Sequence, residues 1–128
     1  MRPTMLVVER PDADRLSTRK LVLESAKFNV VNATSERETI ETLTRLDVDA
    51  VVLPLELRGS TCDDLVRAAK KARPTVKVVV PQSAHCAPSE HIDARYNLFD
   101  PGSLVAVCRE LFGDPLAHEL AEEQEQEQ

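Results

Sequence analysis

Apolar residues fall in short, punctuated runs along this chain. Residues 5–8 (Met-Leu-Val-Val), 28–31, 50–53, 76–80 and 95–99 are each bounded by polar or turn-forming positions. Runs of four or five residues are too short for a helix, and the aliphatic, β-branched ones at 5–8, 50–53 and 76–80, with Lys77 the one polar break, suit strands buried on both faces of a parallel sheet. Between the runs the apolar spacing changes to that of helices. Asp12 or Asp14 can cap a helix reaching about Ala26, with Leu16, Val22, Leu23 and Ala26 on one face and Arg19 and Lys20 interrupting it. Ser35 and Glu38 form a capping box for a helix carrying Ile40, Leu43 and Leu46. Thr61 or Asp63 caps a third helix, with Leu65, Ala68, Ala69 and Ala72 toward the sheet, Arg67, Lys70, Lys71 and Arg73 outward, and Pro74 stopping it. Residues 82–94 are polar and broken by Pro88, which predicts a loop with at most one or two helical turns around 89–93. Pro101 opens a last helix bearing Leu104, Val105, Cys108, Leu111 and Phe112, ended by Gly113 and Pro115.

Alternating strands and helices with short connections predict an α/β fold, a flavodoxin-like three-layer sandwich with a parallel sheet. In such sheets function gathers where strands end, so residues 49–59 (Asp-Ala-Val-Val-Leu-Pro-Leu-Glu-Leu-Arg-Gly) are the centre of interest. Pro54 removes a ladder donor at the exit of that strand, and Pro81 ends the fourth strand in the same way.

Composition narrows the function classes. The chain of 128 residues suits one domain, residues 1–113, and the net charge of −6 comes from a tail at 114–128 holding Asp114, Glu119, Glu122, Glu123, Glu125 and Glu127. The Glu/Gln-rich tail is expected to be disordered. The body balances its sixteen Lys and Arg with sixteen acids, which speaks against nucleic-acid wrapping or membrane adhesion. The apolar run at the N-terminus is too short for a signal peptide or a membrane span, so a cytoplasmic protein is expected.

Three cysteines, Cys62, Cys86 and Cys108, follow no secreted spacing and predict reduced thiols without a disulfide framework. Cys108 lies on the apolar stripe of the last helix and reads as core. His85, Cys86 and His91, with Cys62 nearby, match no compact metal motif and read as an ordinary polar loop. No Gly-rich phosphate loop supports a nucleotide or flavin, and no cofactor is expected.

Motif by motif, the chain from residue 5 to 112 resembles the CheY-like receiver domains of bacterial response regulators. Leu6-Val7-Val8-Glu9-Arg10 is similar to the family's first strand and acidic pair, with arginine in second place. Leu23-Glu24-Ser25-Ala26-Lys27-Phe28-Asn29-Val30 looks like its Leu-Glu-x-x-Gly-aromatic-x-Val turn, Lys27 replacing glycine. Asp49 through Gly59 resembles the phosphorylated strand and its Leu-x-Leu-Pro-Gly exit, and Asn97-Leu98-Phe99-Asp100-Pro101 resembles Lys-Pro-Phe followed by Asp-Pro.

The resemblance implies five parallel strands in the order 2-1-3-4-5. It also implies a degenerate phosphorylation site at Glu9, Arg10, Pro54, Pro81 and Asn97: Pro54 falls on the phosphoacceptor aspartate, Pro81 on the hydroxyl residue and Asn97 on the lysine. Acyl-phosphate chemistry needs a carboxylate nucleophile, a divalent ion on neighbouring carboxylates, and a cation plus hydroxyl. Glu9 alone cannot supply these. The 15 residues between Pro81 and Asn97 are fewer than the family uses, so the fourth helix is expected to be short or missing.

With its site positions replaced, the receiver resemblance implies a non-enzymatic, phosphorylation-independent interaction module in phosphorelay signalling. Its partners would be a histidine kinase, an output protein or another receiver, a homodimer included. A candidate interaction surface comprises Arg58, Arg67, Lys70, Lys71 and Arg95. One alternative is a receiver phosphorylated at an unconventional carboxylate such as Glu56, which shares parity with Pro54 but lies about 7 Å further along. The other is a small thiol- or metal-responsive protein using Cys62 and Cys86.

Overall fold

The structure, a computed structural model, describes residues 2–11, 17–86 and 89–116. Asp12, Asp14, Leu16, Pro88 and residues 117–128, on which the first cap, one apolar position, the loop break and most of the tail were expected, lie outside the described residues. Elements run β1 (Thr4–Val8), α1 (Thr18–Ser25), β2 (Asn29–Ala33), α2 (Glu36–Arg45), β3 (Ala50–Val52), α3 (Cys62–Ala72), β4 (Lys77–Pro81), a single 3-10 turn (Ser89–His91), β5 (Ala94–Tyr96) and α4 (Pro101–Phe112). All strand pairs are parallel, in the order β2-β1-β3-β4-β5. This is the flavodoxin-like fold that the alternation of strands and helices predicted, in the strand order the receiver resemblance implied, and the short 3-10 turn stands where that resemblance implied a fourth helix short or missing.

Strand alternation divides the core. Leu6, Val8, Val51, Leu53, Val78 and Val80 face α2 and α3 with Leu43, Leu65, Val66 and Ala69. Met5, Val7, Ala50, Val52 and Val79 face α1 and α4 with Leu23, Phe28, Tyr96, Leu104 and Cys108. Every one of these is buried, because a parallel sheet covered on both sides leaves neither face to water.

Local signals set most boundaries. Ser35 accepts from the Glu38 amide at 3.1 Å, while Glu38 reaches back to the Thr34 amide at 3.0 Å, one residue earlier than a strict capping box. Thr61 caps α3 through the Asp64 amide, and Asp100 caps α4 through the Gly102 amide, both at 3.1 Å. α1 begins later than its apolar spacing suggested: Ser17 is its cap, accepting from the Lys20 amide at 3.1 Å. β5 ends at Tyr96 because the Asn97 side chain accepts from the Phe99 amide at 2.9 Å and turns the chain, leaving Phe99 93% exposed.

Two expectations are overturned. Cys62 and Cys86 are joined as a disulfide, not held as separate thiols, with Cα atoms 5.3 Å apart. Spacing alone hid this, because the parallel β3–β4 pair brings the start of α3 beside the loop leaving β4. The basic stripe of α3 is not uniformly outward. Lys70 turns in to the Val76 carbonyl at 2.6 Å and Asp93 at 3.1 Å, and Arg73 bonds Asp47 at 2.9 Å. Arg95 likewise lies across its own loop, donating to the Ala84 carbonyl at 2.9 Å and the Pro81 carbonyl at 3.4 Å. Their long stems pack while their charges find fixed oxygens.

Candidate functional site

The strand ends of β1, β3 and β5 converge with the start of α1 on a cavity of about 520 Å³. Glu9, Arg10, Pro54 and Asn97 line it, so four of the five positions singled out in sequence come together. Pro81 does not reach the cavity; it is buried as the last residue of β4, paired with Tyr96. Glu56 sits exposed on the rim, two residues beyond the buried Pro54.

The β1–β2 ladder carries on to Glu9, whose amide donates to the Ala33 carbonyl at 2.9 Å. That bond aims the Glu9 carboxylate at the start of α1, where it accepts from the Ser17 hydroxyl and pairs with Arg19 at 3.4 Å. Leu53 closes β3 by donating to Val79 at 2.9 Å, and Pro54 then has no N–H with which to continue the ladder.

Arg19 is the residue that organises this site. One guanidinium nitrogen donates to the Leu53 carbonyl at 3.3 Å and the Tyr96 hydroxyl at 2.9 Å; the other donates to the Val8 carbonyl at 3.3 Å. Tyr96 in turn donates to the Leu53 carbonyl at 2.8 Å. An internal cation is therefore surrounded by two strand-end carbonyls, a phenol oxygen and a carboxylate. Guanidinium presents several donors in a plane and stays charged, which suits it to satisfy all four oxygens at once.

Burial raises the Tyr96 pKa; the adjacent Arg19 charge and hydrogen bond pull it down without overcoming burial, and Glu9 adds an upward push. Tyr96 thus remains a hydrogen-bond donor through the neutral range. Burial alone pushes the Cys108 thiol up to about 12, in keeping with its core position.

Among the described residues, the donor set does not suit a hard divalent ion. Such an ion wants several oxygen ligands, with carboxylates prominent among them. Of the two carboxylates lining the cavity among the described residues, Glu9 is engaged by Arg19 and Ser17 and Glu56 stands exposed on the rim; Arg10 and Pro54 contribute no oxygen from their side chains. No group of three His, Cys, Asp or Glu able to hold a metal occurs among the described residues, and His85, Cys86 and His91 do not converge on one.

Sequence reasoning named Glu9 and Pro54 but not Arg19, Tyr96 or Ser17 as parts of the site. The available signal was Arg19 itself, a cation breaking the apolar stripe of α1. Of the proposed surface residues, Arg58, Arg67 and Lys71 are exposed and lie away from the cavity, while Lys70 and Arg95 are tied down as described above.

No family model matches the chain, and no curated protein matches it in sequence. Solved structures do. The signal receiver domain of an HD domain-containing protein from Pseudomonas fluorescens has a TM-score of 0.73 at 16% identity, covering 94% of this chain and 99% of that one. The chemotaxis response regulator CheY4 of Vibrio cholerae has a TM-score of 0.71 at 14% identity, covering 88% of this chain and 100% of that one. The receiver domain of a Pseudomonas aeruginosa sensor histidine kinase, with magnesium coordinated in its active-site cleft, has a TM-score of 0.69 at 12% identity, covering 86% and 97%. Among the described residues no helix is long and apolar enough to cross a membrane. At these identities the likeness establishes the backbone: this chain has the fold of response regulator receiver domains.

Proposed function

We propose that this chain is an atypical receiver domain that works in two-component (phosphorelay) signal transduction as a phosphorylation-independent, non-enzymatic protein–protein interaction module. The observation that carries the reading is Pro54, buried at the exit of β3 where the family's phosphoacceptor falls. Proline offers no nucleophile, and the charge that a phosphoryl-transfer site takes from a metal is supplied here by Arg19, already bonded to the strand ends. A receiver that gains no phosphoryl group cannot be biased by one, so its surface answers to partner binding and concentration.

A cytoplasmic, bacterial signalling setting belongs to this reading, with a histidine kinase, an output protein or another receiver as partner, a second copy of this chain included. The exposed cations Arg58, Arg67 and Lys71 suit an acidic patch on such a protein. The balanced charge of the body favours a protein partner over nucleic acid or membrane.

Intact-mass analysis after incubation with acetyl phosphate and Mg²⁺ tests the proposal. An unchanged mass is expected. Gain of one phosphoryl group by the wild-type chain overturns it, and mapping that group to Glu56 would establish an unconventional acceptor instead.

A further inference from the structure

The disulfide lies at a place where it can be reached. Cys62 is the first residue of α3, directly after its cap Thr61, and is half-buried; Cys86 ends the described loop after β4 and is buried against the core that faces α2 and α3. Beside them opens a recess of about 410 Å³ lined by Asp63, Ala84, His85, Cys86 and Arg95. The loop between β4 and Cys86 has little else to hold it: Gln82 donates to the Tyr96 carbonyl at 2.7 Å, Ala84 to the Pro81 carbonyl at 3.1 Å, and Arg95 bridges from the side. The single 3-10 turn that follows supplies no long helix to anchor it.

We propose that Cys62 and Cys86 form a thiol–disulfide exchange site for low-molecular-weight thiols and disulfides of the glutathione class, whose redox state decides whether residues 82–86 are clamped to α3. The recess opens onto Cys86, the bonded and half-buried Cys62 lies beside it, and Arg95 and His85 on its lining complement the carboxylates of an anionic thiol peptide, with Asp63 as the opposing charge. Cys62 is the reactive partner. It is the more exposed of the two and stands at the N-terminus of α3, whose helix dipole favours negative charge, although Asp63 and Asp64 in the same turn work against this.

The exchange balances. In oxidation, the Cys62 thiolate attacks one sulfur of glutathione disulfide, forming a mixed disulfide and expelling one glutathione thiolate. The Cys86 thiolate then attacks Cys62 Sγ, closes the protein disulfide and expels the second glutathione. Two electrons pass from the protein dithiol to the glutathione disulfide, and the two thiol protons end on the two glutathiones. Reduction is the reverse. The site stands independently of the receiver reading, because it requires only the β3–β4 pairing that places the two sulfurs together.

The test equilibrates the full chain in buffers of graded reduced-to-oxidised glutathione ratio, traps thiols with iodoacetamide in the folded protein, and reads intact mass and peptide maps. The expected result is a single two-electron transition, from no alkylation in oxidising buffer to alkylation of Cys62 and Cys86 in reducing buffer. Buried Cys108 stays silent until the protein is unfolded. Amide hydrogen exchange at residues 82–86 is expected to rise about tenfold or more on reduction, since the bond closes a loop between residues 24 apart. A Cys62→Ser variant should show the fast exchange in both buffers. Alkylation of both cysteines even in the most oxidising buffer, or a disulfide that survives the most reducing one, overturns the exchange site; unchanged amide exchange on reduction overturns the clamp.

Discussion

The guanidinium of Arg19 donates to the hydroxyl of Tyr96 at 2.9 Å, and that hydroxyl donates onward to the Leu53 carbonyl at 2.8 Å. A cation from α1, a phenol from β5 and the carbonyl before Pro54 thus make one connected network. Replacing Arg19 with Met keeps the apolar stem and removes the donors, leaving the Val8 carbonyl and Glu9 without their shared partner. Arg19→Met is expected to cost about 1–3 kcal/mol, read as a lower denaturant midpoint with an unchanged slope. Arg19→Lys should recover part of the loss, because an ammonium restores the charge but not the planar fork.

Tyr96 is the chain's sole tyrosine and there is no tryptophan, so its ionisation can be followed directly by phenolate absorbance. Its folded pKa is raised, chiefly by burial. The folded state therefore keeps the phenol proton at pH values where the unfolded chain has lost it. The corresponding stability is fully present below the unfolded value of about 10 and is lost as pH rises through the higher folded value. Wild-type stability should fall above about pH 10 more steeply than that of Tyr96→Phe, compared by denaturant titration across that range.

Asp93 binds three groups around β4: the Val78 amide at 2.8 Å, Lys70 at 3.1 Å and Lys77 at 3.8 Å. Val78 is fully buried, so Asp93→Ala strands a buried N–H and should cost about 1–3 kcal/mol. Asp93→Asn keeps an oxygen for that amide and forgoes only the ion pairs, for about 1 kcal/mol or less. Equal losses in the two variants, measured by thermal or chemical unfolding, would show that the ion pairs and not the Val78 amide dominate.

Lys27 adopts a φ of 74°, the left-handed region that favours glycine. Its amide bonds the Glu24 carbonyl at 2.9 Å as α1 closes, so the conformation is fixed by the turn and not by the lysine side chain. Lys27→Gly should stabilise by up to about 1 kcal/mol, relief of left-handed strain outweighing the extra freedom of the unfolded chain. A raised denaturant midpoint checks it.

Layer structure was legible in the sequence wherever physics is local. The alternation of Leu6 and Val8 against Met5 and Val7, the caps at Ser35 and Thr61, and the proline opening α4 each follow from neighbours a few residues apart. What the sequence concealed was contact at a distance. Arg19 stood out as a charge on an apolar stripe, but its partner Tyr96 lies 77 residues away. Cys62 and Cys86 entered the sequence reading only as an alternative, with reduced thiols expected, because the parallel pairing that brings their two strand exits together is not visible in spacing. β5 ran short because Asn97 spends its side chain on a local turn, something its place beside an apolar run did not reveal.

Central to the proposed reading is that Arg19, bonded to the Val8 and Leu53 carbonyls and paired with Glu9, supplies the positive charge that a phosphoryl-transfer site draws from a divalent ion. Amide chemical shifts recorded during a Mg²⁺ titration of the wild-type chain test it most directly. The account predicts no saturable shifts at Glu9, Arg10 or Leu55, only the small, linear drift that ionic strength produces. Saturable shifts confined to those residues, with the Arg19–Glu9 pair broken, would contradict it.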